Sequence, residues 1–153
     1  MTDKLATTFL AGLNDECAAL RAFVVLLEDE QRTLLGTHPE ELLPLAEAKT
    51  KLAEKVGALS TARRNFLPPG TRDTVEWLKK NAPQGLPVWQ EARQLAAKAH
   101  SINQTNGELI QIKLRYNQQA LAALAGAAQN AAGLYGADGQ TSLPSTPRTL
   151  GSV

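Results

Sequence analysis

The side chains able to carry chemistry are one cysteine, two histidines and 15 carboxylates, and their spacing gathers none of them into a site. Cys17 has no second cysteine for a disulfide or a zinc site, which suits a reducing cytosol. His100 has no histidine, cysteine or carboxylate three or four residues away, and His38 falls in the turn Gly36-Thr37-His38-Pro39 rather than on a helix, so no metal site is expected. The carboxylates of Glu28, Asp29 and Glu30, and of Glu40 and Glu41, are consecutive. Adjacent helical residues point to different sides, so these groups read as solvated faces and not as an acid-base pair. There is no phosphate loop, no Gly-x-Ser-x-Gly elbow and no dinucleotide fingerprint. The sequence supplies no catalytic constellation and no residues for a cofactor; an enzyme is not expected.

The elements that would position any site are helices. Of 153 residues, 24 are Ala and 24 are Leu, against nine Val and Ile, a balance that favours helix over strand. The net charge of +1 lacks the basic excess that nucleic acid or an anionic membrane would attract. No apolar run approaches the roughly 20 residues that span a bilayer, and a cleaved secretion signal is not expected.

Prolines at 39, 44, 68, 69, 83, 87, 144 and 147 partition the chain. From Asp3 to about Leu35, the positions Leu5, Phe9, Leu13, Cys17, Leu20, Val24, Leu27 and Leu34 recur every three or four residues and predict a helix with Thr2 as N-cap and Gly36 as stop. A second helix follows from Leu42, Leu45, Lys49, Leu52, Val56, Leu59, Arg63 and Phe66, with Pro44 forcing either a start near Leu42 or a kink. Lys49 and Arg63 interrupt its seam, and the expectation is that they lay their methylenes along the groove with the charge in water. Thr71 is the expected cap of a short helix, Arg72 to about Lys80, anchored by Trp77. A last helix from Pro87 to about Ala132 would be on the order of 65 Å long. Its seam of Leu95, Ala99, Ile102, Asn106, Leu109, Tyr116, Ala120 and Ala123 has asparagine at its centre. From Gly133 onward, 12 of 21 residues are Gly, Pro, Ser or Thr, the composition of a flexible tail.

Two clusters do not fit a plain bundle. In Asn103-x-x-Asn106-Gly107-x-Leu109-Ile110, an Asn-Gly pair lies inside continuing helical periodicity. The asparagines either pair across the bundle and fix its register or contact a partner, and a helical Gly107 would mark close approach of another backbone. In Leu134-Tyr135-Gly136-Ala137-Asp138-Gly139-Gln140-Thr141, an apolar and aromatic pair sits in a polar tail, where it either folds back or anchors a partner.

These two blocks, with Leu26-Leu27-Glu28-Asp29-Glu30, the heptads of the second helix and Val88-Trp89-Gln90-Glu91-Ala92, resemble the successive motifs of the FlgN-type flagellar export chaperones over nearly the whole chain. The resemblance implies a cytoplasmic chaperone of flagellar type III secretion that binds the C-terminal helices of hook-filament junction proteins, prevents their premature self-association and brings them to the export gate. It implies client binding on the last helix, with Asn103, Asn106, Gly107, Ile110, Tyr116, Asn117, Leu121 and Leu124 as candidates. It also implies docking on the cytoplasmic domain of the export gate through Leu134, Tyr135 and Asp138. Neither nucleic acid nor membrane insertion is implied.

The expected fold is all-α: an elongated antiparallel helical bundle of three long helices and one short one over residues 1–132, with a flexible tail carrying the docking motif over 133–153. The alternative function, from a different class, is a helical structural adaptor whose asparagines fix a homodimeric coiled coil.

Overall fold

The computed structural model describes residues 2–134, and the side chains of 3–130. Every regular element in that range is helical: α1 (Thr2–Leu35), a 3-10 turn (Pro39–Glu41), α2 (Leu42–Phe66), α3 (Thr74–Asn81), a second 3-10 turn (Pro83–Gly85) and α4 (Leu86–Leu134). The expected docking residues Tyr135 and Asp138, the side chain of Leu134 and nearly all of the expected tail lie outside the described residues. The chain divides into two units, Met1–Ile110 and Gln111–Val153, and the boundary falls within α4. The helix passes Gly107 and Gly126 without a break in its assignment.

Local chemistry explains where each helix begins and ends. Asp3 in the first turn of α1 and Arg32 in the last oppose the helix dipole at both ends. Thr2, expected as the cap, already belongs to that first turn. After Leu35 the Gly36 amide still reaches the Thr33 carbonyl at 3.2 Å, and the chain then turns. The Pro39 turn leads straight into α2, so Pro44 is its third residue. There a backbone N–H has no intrahelical acceptor to lose, and proline is tolerated without a kink.

Beyond α2, the Thr71 amide donates to the Pro68 carbonyl at 3.1 Å across Pro69 and Gly70. Gly70 has φ +87°, the left-handed conformation that this turn demands and that glycine adopts without steric cost. The cap of α3 is Asp73, whose carboxylate accepts from the Val75 amide at 2.8 Å. Thr71, expected in that role, instead donates its hydroxyl to the Pro68 carbonyl. The difference is two residues of register, and the stronger acceptor takes the helix N-terminus.

Within the first unit, α1 is the central element. Phe9, Leu13, Cys17, Leu20, Val24, Leu27 and Leu34 are all buried, as their spacing predicts. The end near Phe9 is closed by α3: Leu78 and Ala82 are buried, and the Phe9 and Trp77 rings lie 4.8 Å apart at 56°. That tilted geometry favours aromatic pairs beyond their buried area. Gly85 completes the closure, because a Cβ there would collide with the Leu10 side chain.

Helix direction follows from cross-helix partners. Glu30 meets Lys49 and Glu16 meets Arg63, so α2 runs antiparallel to α1. Arg21 meets Glu91 and Glu28 meets Lys98, so α4 starts at the same end as α1 and runs parallel to it. The antiparallel expectation therefore holds for α1 with α2. A third helix in an up-down-up arrangement must be parallel to the first.

Candidate partner-binding surface on the last helix

The groups with chemical potential are structural or exposed. Burial pushes the Cys17 thiol up, with Arg21 opposing and Glu91 adding to the rise, so the sulfur stays a neutral, unreactive thiol. His38 lies 3.1 Å from the Glu40 carboxylate on an exposed turn, and His100 is exposed on α4. Among the described residues, no group of three or more histidine, cysteine, aspartate or glutamate side chains could hold a metal ion.

Polar groups inside the bundle overturn two sequence expectations. Glu30 is buried, not part of a solvated face; its carboxylate accepts from Lys49 Nζ at 3.1 Å and from Asn106 Nδ2 at 2.9 Å. Arg63 is the one buried residue of α2. Its Nε donates to Glu16 at 2.5 Å, and its guanidinium lies 4.7 Å from the centre of the Trp89 ring. Lys49 and Arg63 thus do not extend their charges into water; each ends on a buried carboxylate of α1. Burying a charge is tolerated when it is paired and hydrogen-bonded in this way. Glu16 was missed in the sequence, yet a signal existed. The pairs 30–49 and 16–63 are separated by two heptads on both helices, so the register that serves one cation of the seam places a carboxylate opposite the other.

The asparagine block splits by face. Asn106 is fully buried and donates to both the Leu27 carbonyl and Glu30 Oε1 at 2.9 Å, tying α4 to α1. It pairs with backbone and carboxylate, not with another asparagine. Asn103 is exposed. Gly107 is exposed as well, and a Cβ built there meets nothing within 4 Å. The close backbone approach expected at this glycine does not occur. Ile110, 37% exposed, ends the first unit.

In the second unit, α4 carries large apolar side chains in the open. Tyr116, Leu121 and Leu124 are 70%, 66% and 67% exposed, with Ile112 and Leu114 also exposed. Leu114, Asn117, Leu121 and Leu124 follow spacings of three, four and three and form one stripe. Tyr116 and Ile112, four residues apart, lie on a different side, roughly 140° and 180° around the helix from Leu121 at about 100° per residue. The helix therefore groups Leu121, Leu124 and Asn117 but separates Tyr116 from them. Tyr116, Ala120 and Ala123, expected to continue the buried seam, are all exposed.

A row of exposed leucines on a helix suits partner binding. Among the described residues, no helix is long and apolar enough to cross a membrane. No curated protein and no solved structure matches the chain. The FlgN protein family matches residues 1–143, all but the last ten. The chain thus belongs to the FlgN family of flagellar export chaperones.

Proposed function

We propose that this chain is a cytosolic chaperone that holds the C-terminal helices of hook-filament junction proteins on the outer half of α4 and delivers them to the export gate. One observation carries the reading: Leu114, Leu121 and Leu124 form an apolar stripe at helical spacing that is open to solvent. Such a stripe accepts the apolar face of an amphipathic client helix and shields it from self-association. Of the other candidates that the resemblance nominates, Asn103, Gly107 and Ile110 are exposed on α4 within the first unit, whereas Asn106 is committed to the bundle. Asn117 lies within the stripe, and Tyr116 contributes from another side of the helix. Holding a helix in this way requires no cofactor.

In this reading, Leu134, Tyr135 and Asp138 form a separate docking element for the cytoplasmic domain of the export gate. The family match, which extends through residue 143, supports their inclusion in the working part of the chain. Co-purification and titration with the C-terminal helices of a hook-filament junction protein test the proposal. A one-to-one complex at micromolar concentration is expected, and Leu121→Asp with Leu124→Asp abolishes it. The absence of a complex at that concentration contradicts the reading.

The homodimeric adaptor retains one observation in its favour, because Asn117 interrupts an exposed leucine stripe in the manner of a register-setting coiled-coil asparagine. It loses Asn106, which bonds within its own chain. Sedimentation separates the two: a monomer that converts to a one-to-one client complex rejects the adaptor.

A further inference from the structure

Within the first unit, a second surface stands apart from the stripe. A groove of about 420 Å³ runs between α2 and α4. Buried Leu20 of α1 lies within it, Ala53, Gly57 and Ser60 line the α2 side, and Ala92 and Ala96 line the α4 side. Small residues on both walls let a third backbone approach closely, and a Cβ placed on Gly57 meets nothing within 4 Å. Three helices arranged in this way leave open the position that a fourth occupies in a four-helix bundle. From Ala53 to Arg63 the lining extends over about 15 Å at 1.5 Å per residue, enough for roughly three turns of an added helix.

The charges around the groove select its occupant. Its one carboxylate, Glu16, is already committed to Arg63. Arg93 lines the groove and is exposed, and Arg64 lies one turn beyond Ser60 on α2, also exposed. Neither arginine has a carboxylate within 4 Å among the described residues, whereas Arg21, Arg32 and Lys98 each do. At the same end, the buried indole N–H of Trp89 has no acceptor. Buried donors are rarely left in that state.

We propose that this groove docks one amphipathic helix of a partner protein, with a face of small and medium apolar residues and glutamates on its flanks. The glutamates pair with Arg93 and Arg64, and the apolar face covers Leu20 and the alanines of both walls. The site is distinct from the stripe on the outer half of α4, and either can fail without the other.

The full-length chain carrying Trp77→Phe leaves Trp89, beside the groove, as its sole tryptophan and reporter. The probe is an 18-residue peptide with Leu and Ala at three- and four-residue spacing and Glu on both flanks; its control replaces each Glu with Lys. Saturable change in Trp89 fluorescence at micromolar acidic peptide is expected, with calorimetric titration of the unsubstituted chain giving the same affinity. Arg64→Glu with Arg93→Glu weakens the acidic peptide at least about tenfold and strengthens the Lys peptide, as opposite-charge matching requires. Gly57→Leu, which enters open space, blocks binding while leaving helix content and melting intact. No saturation by about 100 μM, a weak limit on the affinity scale, overturns the proposal. So does equal binding of both peptides, or binding lost in Leu121→Asp with Leu124→Asp but retained in the groove variants.

Discussion

The same three- and four-residue spacing runs through α1 from Phe9 to Leu34 and through α4 from Leu114 to Leu124, with opposite outcomes. In α1 the spaced residues are buried and form the core of the first unit; in α4 they are exposed. Burial of one leucine contributes about 1.5–3 kcal/mol, so the first stretch holds a bundle together and the second is left with apolar surface to bury. The intervening residues differ too. Between Leu114 and Ala132, α4 is filled with alanine, glutamine and asparagine, which offer little mass for a core of their own. Periodicity therefore identifies a helix face, while side-chain mass and the presence of neighbours decide whether that face is core or contact surface.

The contrast can be broken first in the core. Phe9→Ala removes a fully buried ring that packs against Trp77 and should cost about 3–5 kcal/mol. Urea denaturation measures it; a loss below 1 kcal/mol would show that α3 does not close the bundle as described. A loss of about 3 kcal/mol is expected for Glu16→Ala, which strands the Arg63 guanidinium in the interior. Adding Arg63→Met to Glu16→Leu should recover most of it, because a buried pair can be replaced by apolar packing where a single partner cannot be removed. Failure of the double variant to recover would assign the loss to packing against Trp89.

In the exposed stripe the effects should reverse in kind. Leu121→Ala is expected to change stability by less than about 0.5 kcal/mol, yet to weaken client binding by about 1–2 kcal/mol if the residue anchors the partner. Parallel urea and titration curves decide between a core and a contact role. The smallest effect concerns the bridge between α1 and α4. Hydrogen bonds from Arg21 hold the Glu91 carboxyl below its ordinary range, aided by the arginine charge and opposed by desolvation. Because the folded pKa lies below the unfolded one, this contribution is complete above the unfolded pKa and is lost as pH falls through the folded value. The melting-temperature difference between the unsubstituted chain and Glu91→Gln should thus be small at pH 7 and shrink below about pH 4. A difference that grows with acid would contradict the pairing.

Much of the architecture was legible in residue types. Proline and glycine positions delimited four helices to within a few residues, and the core stripe of α1 was named correctly from Phe9 to Leu34, while Leu5 is only half-buried and Ala6 beside it is buried. The interior ion pairs were not, because a sequence shows that Lys49 and Arg63 break a seam but not what faces them. Once the Glu30 to Lys49 register is known, Glu16 follows two heptads away. The asparagine block was half legible: Asn106 does fix α4 against α1, while a Cβ on Gly107 meets nothing within 4 Å among the described residues, because the next position around the helix turns away from α1. The candidate client residues could be found on α4 but not sorted by side, since the resemblance that nominated them carries no phase. Helical geometry sorts them, placing Asn106 within the bundle and Tyr116 away from Leu121.

In the proposed function, α1, α2 and the first half of α4 are scaffold, while α4 beyond Ile110 receives the client. Amide exchange with and without the C-terminal helices of a hook-filament junction protein tests it most directly. Protection from Gln111 to about Ala128 is expected to rise with client, while the amides of α1 from Phe9 to Leu27 keep the protection they have alone. Protection gained across α1 and α2 with no change beyond Ile110 would contradict it.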